Sequence, residues 1–313
     1  MTERIFHIGI PKTASSFLQT RVFPQFEGIT YVNFETIRAC PAFNHLQLAD
    51  DTFYDPDVFR SRINEIEGER VLFSDERLAG RFLGFGGMVN RSLIGTRLRD
   101  AVPDARILML IRGQSTYLHS AYQQSITGHA ESSRSFSDFI YRPDLYFNQK
   151  SDQALYDSTS LSFSLHYIFY YEMIRLYKGL FSDVQVLLYE DFVHDFESTL
   201  IRIEDFIRPK NSLSGKIDFR SRVNRSSDQR KISQLRYLNA TLPLGRGWPQ
   251  KVSSKLYREW MFRLNTWMGR GDPNPETQIQ NMLQAFHENN RRLIEEFPEV
   301  GLQRYPQDYP TGD

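Results

Sequence analysis

The chain has 313 residues, 40% of them hydrophobic, with 38 basic and 38 acidic side chains. That balance gives no global field to draw the protein onto nucleic acid or an anionic membrane surface, so any anion site must be local. The single cysteine, Cys40, excludes an intrachain disulfide and a Cys-cluster metal site; with no run near the roughly 20 apolar residues of a membrane span and no signal-peptide core, a cytoplasmic chain without membrane insertion is expected.

In chain order, Ile5, Phe6, Ile8 and Ile10 of RIFHIGI predict a buried strand over residues 4–10, and Ser15 to Val22 the helix after it. Pro11, Lys12, Thr13, Ala14, Ser15 and Ser16 stand at the turn between them. First-turn amides of a helix point at one spot, the dipole adds partial positive charge there, and Lys12 adds a full one, so an anionic guest is expected. An ordinary βα turn, with Pro11 opening the helix and hydroxyls capping it, uses the same residue types. The Walker A pattern fails, because Lys12 follows Pro11 and Gly9 is the only glycine nearby. The turn resembles the 5'-phosphosulfate loop of sulfotransferases, commonly PKTGT or PKSGT after a first strand, with Ala14 at the usual glycine. A helix's first turn requires no positive φ, so Ala14 is expected to sit there without strain.

An amphipathic stretch at 55–66 leads to a strand over 70–74, after which Asp75 and Glu76 place two carboxylates at a strand's carboxyl end. A carboxylate in a partly desolvated cleft has its pKa raised toward neutrality, which suits a general base. Similarity to the Ser-x-Glu variant of bacterial sulfotransferases, and more loosely to glutamate-based heparan N-sulfotransferases, selects Glu76. Asp75 is the competitor, VLFSD also reads as a Walker B strand, and Glu76 also reads as a helix-start residue paired with Arg77 or Arg81. His7 is expected in the core, and no motif places His119 or His129. Gly80 to Asn90 and Gly128 to Ser135 read as irregular loops, candidate lids over an acceptor.

A helix over 89–101 precedes the continuously apolar strand RILMLI within 105–111 and a helix over 114–127. Arg112 and Ser120 lie eight residues apart around that junction, and an arginine fork with a hydroxyl suits a phosphate monoester. An arginine capping the sheet edge is the plainer reading. Arg112, Ser120 and Tyr122 fall on the sulfotransferase pattern RxPxxRxxSxY, with Gln114 and Tyr117 replacing its proline and second arginine. The resemblance implies that Arg112 and Ser120 hold the 3'-phosphate of 3'-phosphoadenosine 5'-phosphosulfate (PAPS).

Within an amphipathic stretch at 159–181, Tyr167, Tyr170, Tyr171, Ile174 and Tyr177 form a stripe expected to face the core. A strand over 184–189 ends at Tyr189, which reads as a buried strand-end tyrosine or as a stacking partner for adenine. The basic segment at 219–231 resembles the RVNRS stretch of bacterial sulfotransferases, where Arg222, Asn224 and Arg225 would close over the nucleotide; a solvated basic loop has the same composition. Beyond residue 191 the pattern is mostly helical, and YPQDYPTGD reads as a surface tail.

The βα alternation predicts an α/β fold, a parallel doubly wound sheet with flanking helices and a mostly helical C-terminal part. One domain over 1–313 is expected, with a nucleotide-binding core to about residue 236 and a helical cap over about 237–313. The resemblance implies a PAPS-dependent sulfotransferase of the bacterial, P-loop-like type acting on a hydroxyl or amine of a small-molecule or glycan acceptor, releasing adenosine 3',5'-bisphosphate (PAP) without a metal ion. Lys12 and Glu76 would be catalytic. The alternative is a P-loop-type nucleotide or small-molecule kinase.

Overall fold

A computed structural model describes residues 2–82, 88–127, 136–141, 163–217 and 275–312. Its centre is a five-stranded sheet of β1 (Glu3–His7), β2 (Thr30–Val32), β3 (Arg70–Ser74), β6 (Arg106–Ile111) and β9 (Asp183–Leu188), in the order β2-β3-β1-β6-β9. Every pairing is parallel. The short pairs β4 (Arg81–Phe82) with β5 (Met88–Val89) and β7 (Ile140–Tyr141) with β8 (Phe163–Ser164) lie outside it. β1 ends at His7 rather than residue 10, because Gly9 and Ile10 leave the ladder to enter the turn. β2 was not legible in the sequence, since three residues are too few to show a period.

Alternating strand residues divide two apolar faces. Ile5, Leu72, Leu108 and Leu187 pack with Phe17, Leu18 and Val22 and with Leu200, Ile203 and Ile207 of α10 (Phe196–Ile207). Phe6, Phe73, Ile107 and Met109 face the opposite layer, built from α2 (Phe34–Ala39), α3 (Pro41–Leu48), α4 (Pro56–Asn64), α5 (Arg91–Ala101) and α8 (Tyr170–Leu180). All six residues of β6 are buried, as strands covered on both sides must be. Tyr170, Tyr171, Ile174 and Tyr177 point into the core and Tyr167 is half-buried beside them.

At the sheet's amino edge Glu3 accepts from Arg70 on β3 at 2.9 Å and from Arg106 on β6 at 2.5 Å. Arg106 reaches on to Asp183 of β9 at 2.5 Å, with its guanidinium 4.2 Å above the Phe206 ring.

The carboxyl edge is arranged by topology. After β3 the chain passes over β1 to form β6, so the turn after β1 lies between the ends of β3 and β6, the place where doubly wound sheets bind ligands. β6 pairs with β1 only as far as Leu108 and continues to Ile111, which carries Arg112 up beside the β1 turn.

The last described residues are helical: α11 (Pro275–Leu283), a tight turn at Gln284–Phe286, α12 (His287–Glu296) and two further short turns. The segment after these turns is not the surface tail its composition predicts. Tyr309 is fully buried and its hydroxyl donates to Glu190 at 2.7 Å. Among the described residues, no helix is long and apolar enough to cross a membrane. Residues 218–274 of the part expected to be mostly helical lie outside the described residues.

Candidate active site

The β1 turn is built by backbone hand and close contact. Lys12 (φ 71°) and Ala14 (φ 68°) are both left-handed, with Thr13 between them. Such alternation turns successive amides toward one side, forming an anion-binding concavity. The expectation that Ala14 avoids positive φ is therefore corrected: its Cβ is held against its own carbonyl group, at a cost of about 1–2 kcal/mol that glycine would not incur. Ala14 also stands where a side-chain cap would be and supplies none; its carbonyl accepts from Phe17 and Leu18 at 2.9 and 3.1 Å.

Thr13 is fully buried, and its hydroxyl donates to the Ile10 carbonyl at 2.6 Å, closing the loop on itself. Gly9 is required by proximity, since a Cβ there would lie 2.3 Å from Ser15 Oγ. The predicted helix exists as α1 (Ser15–Phe17), continuing as a π-helical turn over Leu18–Val22, with Ser16 exposed. Ser15 Oγ is buried beside the Glu76 carboxyl, outside strict hydrogen-bond geometry but close enough to act on it.

Three strand ends converge on this turn. Arg112 Nη1 donates to the Lys12 carbonyl at 2.9 Å, and its Nε to Thr116 Oγ1 at 3.0 Å. Its guanidinium lies 4.4 Å above the Tyr189 ring, and its own carbonyl accepts from Tyr170 OH at 2.6 Å. Tyr189 is half-buried at the start of α9 (Tyr189–His194), so one of its faces is covered by Arg112. Ser120 lies on α6 (Gln114–Thr127), a turn beyond Thr116 and half-buried; the hydroxyl that Arg112 engages is that of Thr116, which no motif in the sequence marked.

Asp75 and Glu76 divide cleanly. Asp75 is fully buried and accepts from Arg38 Nε at 3.1 Å and Nη2 at 2.8 Å, while also capping the next turn through the Arg77 amide at 3.1 Å. Glu76 opens that turn, Glu76–Ala79. Burial, with the Asp75 charge behind it, pushes the Glu76 carboxyl up to about 7, while Arg38, Lys12 and the Ser15 hydroxyl act the other way. Burial and then the Arg112 charge lower the Lys12 ammonium, and Glu76 raises it. Tyr117, buried on α6, feels Glu76, Arg91 and Arg112 together, and burial drives its phenol far above the usual range.

Below the turn, His7 is a core residue: its Nδ1 lies 2.7 Å from Ser74 Oγ, which also accepts from Gln19 Nε2 at 3.0 Å. Burial lowers the imidazole to about 3, so it is neutral. Arg222, Asn224 and Arg225 lie outside the described residues, as do most of the two glycine-rich and polar loops. Arg38 had no signal in the sequence, because the six-residue helix α2 that carries it shows no period.

No protein-family profile and no curated protein sequence matches this chain. Among solved structures it is similar to a sulfotransferase from Alicyclobacillus acidocaldarius, at 18% identity over 70% of this chain and 87% of that one, with a TM-score of 0.44. It is also similar to mouse sulfotransferase SULT7A1 complexed with PAP, at 13% identity over 97% of this chain and 89% of that one, with a TM-score of 0.42.

Proposed function

We propose that this protein is a sulfotransferase that moves a sulfuryl group from PAPS to a hydroxyl or amine of a small-molecule or glycan acceptor. The observation that carries the reading is the convergence of Lys12, Glu76 and Arg112, from three strand ends, on a left-handed turn with a buried serine hydroxyl. The residues present fit an adenosine donor bearing two separate phosphates.

Bound PAPS supplies an activated sulfuryl group whose departure leaves charge on the 5'-phosphate. Lys12 and the turn amides from Lys12 to Ser16 set positive charge where such a phosphate rests, with Ser15 Oγ as a buried donor. Thr13 holds the turn's shape through Ile10. Glu76, with its carboxyl near neutrality, takes the acceptor's proton as the acceptor attacks. Asp75 pairs with Arg38 and fixes the turn from which Glu76 projects. Arg112 and Ser120 select a 3'-phosphorylated nucleotide over ATP, and the scheme calls for no metal ion.

Thermal unfolding tests the donor class directly. Strong stabilisation by adenosine 3',5'-bisphosphate and none by ATP with magnesium is expected; the reverse pattern would overturn the reading in favour of a kinase.

A further inference from the structure

The backbone that presents Arg112 is held from a distant part of the chain. Glu190 is buried at the start of α9, and its two carboxylate oxygens are used separately: Oε1 accepts from the Gly113 amide at 3.0 Å and Oε2 from Tyr309 OH at 2.7 Å. The next amide, Gln114 N, donates to the Asp308 carbonyl at 3.1 Å. The Gln114 side chain exchanges hydrogen bonds with Asn290 of α12 at 2.8 and 3.3 Å, and Asn290 also donates to the Pro310 carbonyl at 2.9 Å.

Gly113 permits this approach, because a Cβ there would lie 2.5 Å from Asp308 Cβ. The segment is anchored one residue further along α9 as well, where Asp191 accepts from Arg304 at 2.6 and 2.7 Å and from Tyr305 OH at 2.8 Å. Glu190 and Asp191 thus grip residues 304–309 while Glu190 grips the Arg112 loop.

We infer that the Asp308–Tyr309 strap, acting through Glu190 and Gly113, positions Arg112 and thereby sets selectivity for a 3'-phosphorylated nucleotide. This rests on the donor reading above. Tyr309 and Glu190 are positioning residues: Tyr309 bonds to Glu190, Glu190 bonds to the loop's backbone at Gly113, and Arg112 is the loop residue that carries charge toward the ligand. A strap that merely closed the core would affect every ligand alike, whereas one that aims Arg112 affects the 3'-phosphate and spares the 5'-phosphate, which the β1 turn holds.

Calorimetric titration of the full chain with adenosine 3',5'-bisphosphate and with adenosine 5'-phosphate separates the two. Wild type is expected to prefer the bisphosphate. Tyr309→Phe and Glu190→Gln are each expected to weaken the bisphosphate about five- to tenfold, the scale of one ordinary hydrogen bond lost, and to leave the monophosphate within about twofold on that same scale. A preference kept at its wild-type ratio in either variant that folds, or both ligands weakened equally, overturns the strap proposal alone. Wild type failing to distinguish the two nucleotides overturns the donor reading and the strap with it. Circular dichroism of each variant identifies a folding failure, and Gly113→Ala, which displaces Asp308 without touching Tyr309, is expected to narrow the ratio in the same way.

Discussion

At the residue scale, Glu76 concentrates what is distinctive about the site. Its folded-state carboxyl lies near 7 against an ordinary value of 4.5, so the native protein holds that proton more tightly than the unfolded chain does. Stability is therefore lost as pH rises from about 4.5 to about 7, and the whole deficit is present above that. Glu76→Gln removes the deficit: near pH 8 it is expected to be more stable than wild type by on the order of 1–3 kcal/mol, with no difference near pH 4, as read by urea denaturation. The same variant is expected to lose about 100-fold or more in kcat, together with the acid limb near pH 7 that the base role predicts for wild type in kcat/KM; full activity in the variant would remove Glu76 from the base role. Ala14 offers the complementary case. Its φ of 68° belongs to glycine, so Ala14→Gly is expected to stabilise the fold by about 0.5–1 kcal/mol once the added flexibility of the unfolded chain is subtracted, read as a higher denaturation midpoint. The motif announced this turn from sequence, but not its hand, because the letters PKTASS do not encode φ.

At the element scale, the sheet was legible because strands covered on both faces are written as continuous apolar runs, as in RILMLI of β6. The β1 turn was legible through its residue types. The support beneath Glu76 was not: Asp75 looked like a rival base, and only the folded position of α2 reveals that Arg38 occupies both its oxygens. Gly9 shows how tightly β1 is fitted to α1. A methyl group there must displace the Ser15 side chain or the strand, with His7 Cε1 at 3.1 Å blocking the other side. Gly9→Ala is expected to cost about 1–3 kcal/mol of stability, the range for overpacking, and to weaken PAP binding in the same titration, while a change of equal size made far from the turn leaves binding intact.

At the scale of the whole molecule, the chain closes on itself around α9, whose Glu190 meets Tyr309 across 119 residues of sequence. No local pattern could show that pairing, and the string YPQDYPTGD, polar and rich in proline, reads as surface for good local reasons. Deleting residues 305–312 would take Tyr309 from the buried Glu190, Tyr305 from Asp191 and the Asp308 carbonyl from the Gln114 amide; a loss of about 1–3 kcal/mol for each buried group left unsatisfied is expected, measured as a lower denaturation midpoint. The two edges of the central sheet also differ in how they meet the solvent. The Glu3–Arg70–Arg106–Asp183 chain at the amino edge is already in contact and largely shielded, Arg106 by the Phe206 ring. An anion approaching Lys12 and Arg112 would instead have to cross a screened layer, about 10 Å deep at 0.1 M salt and about 3 Å at 1 M. Ionic strength thus acts as a selective tool on this protein: rising salt silences the capture of an anion at one end of the strands well before it loosens the charges that lace the other.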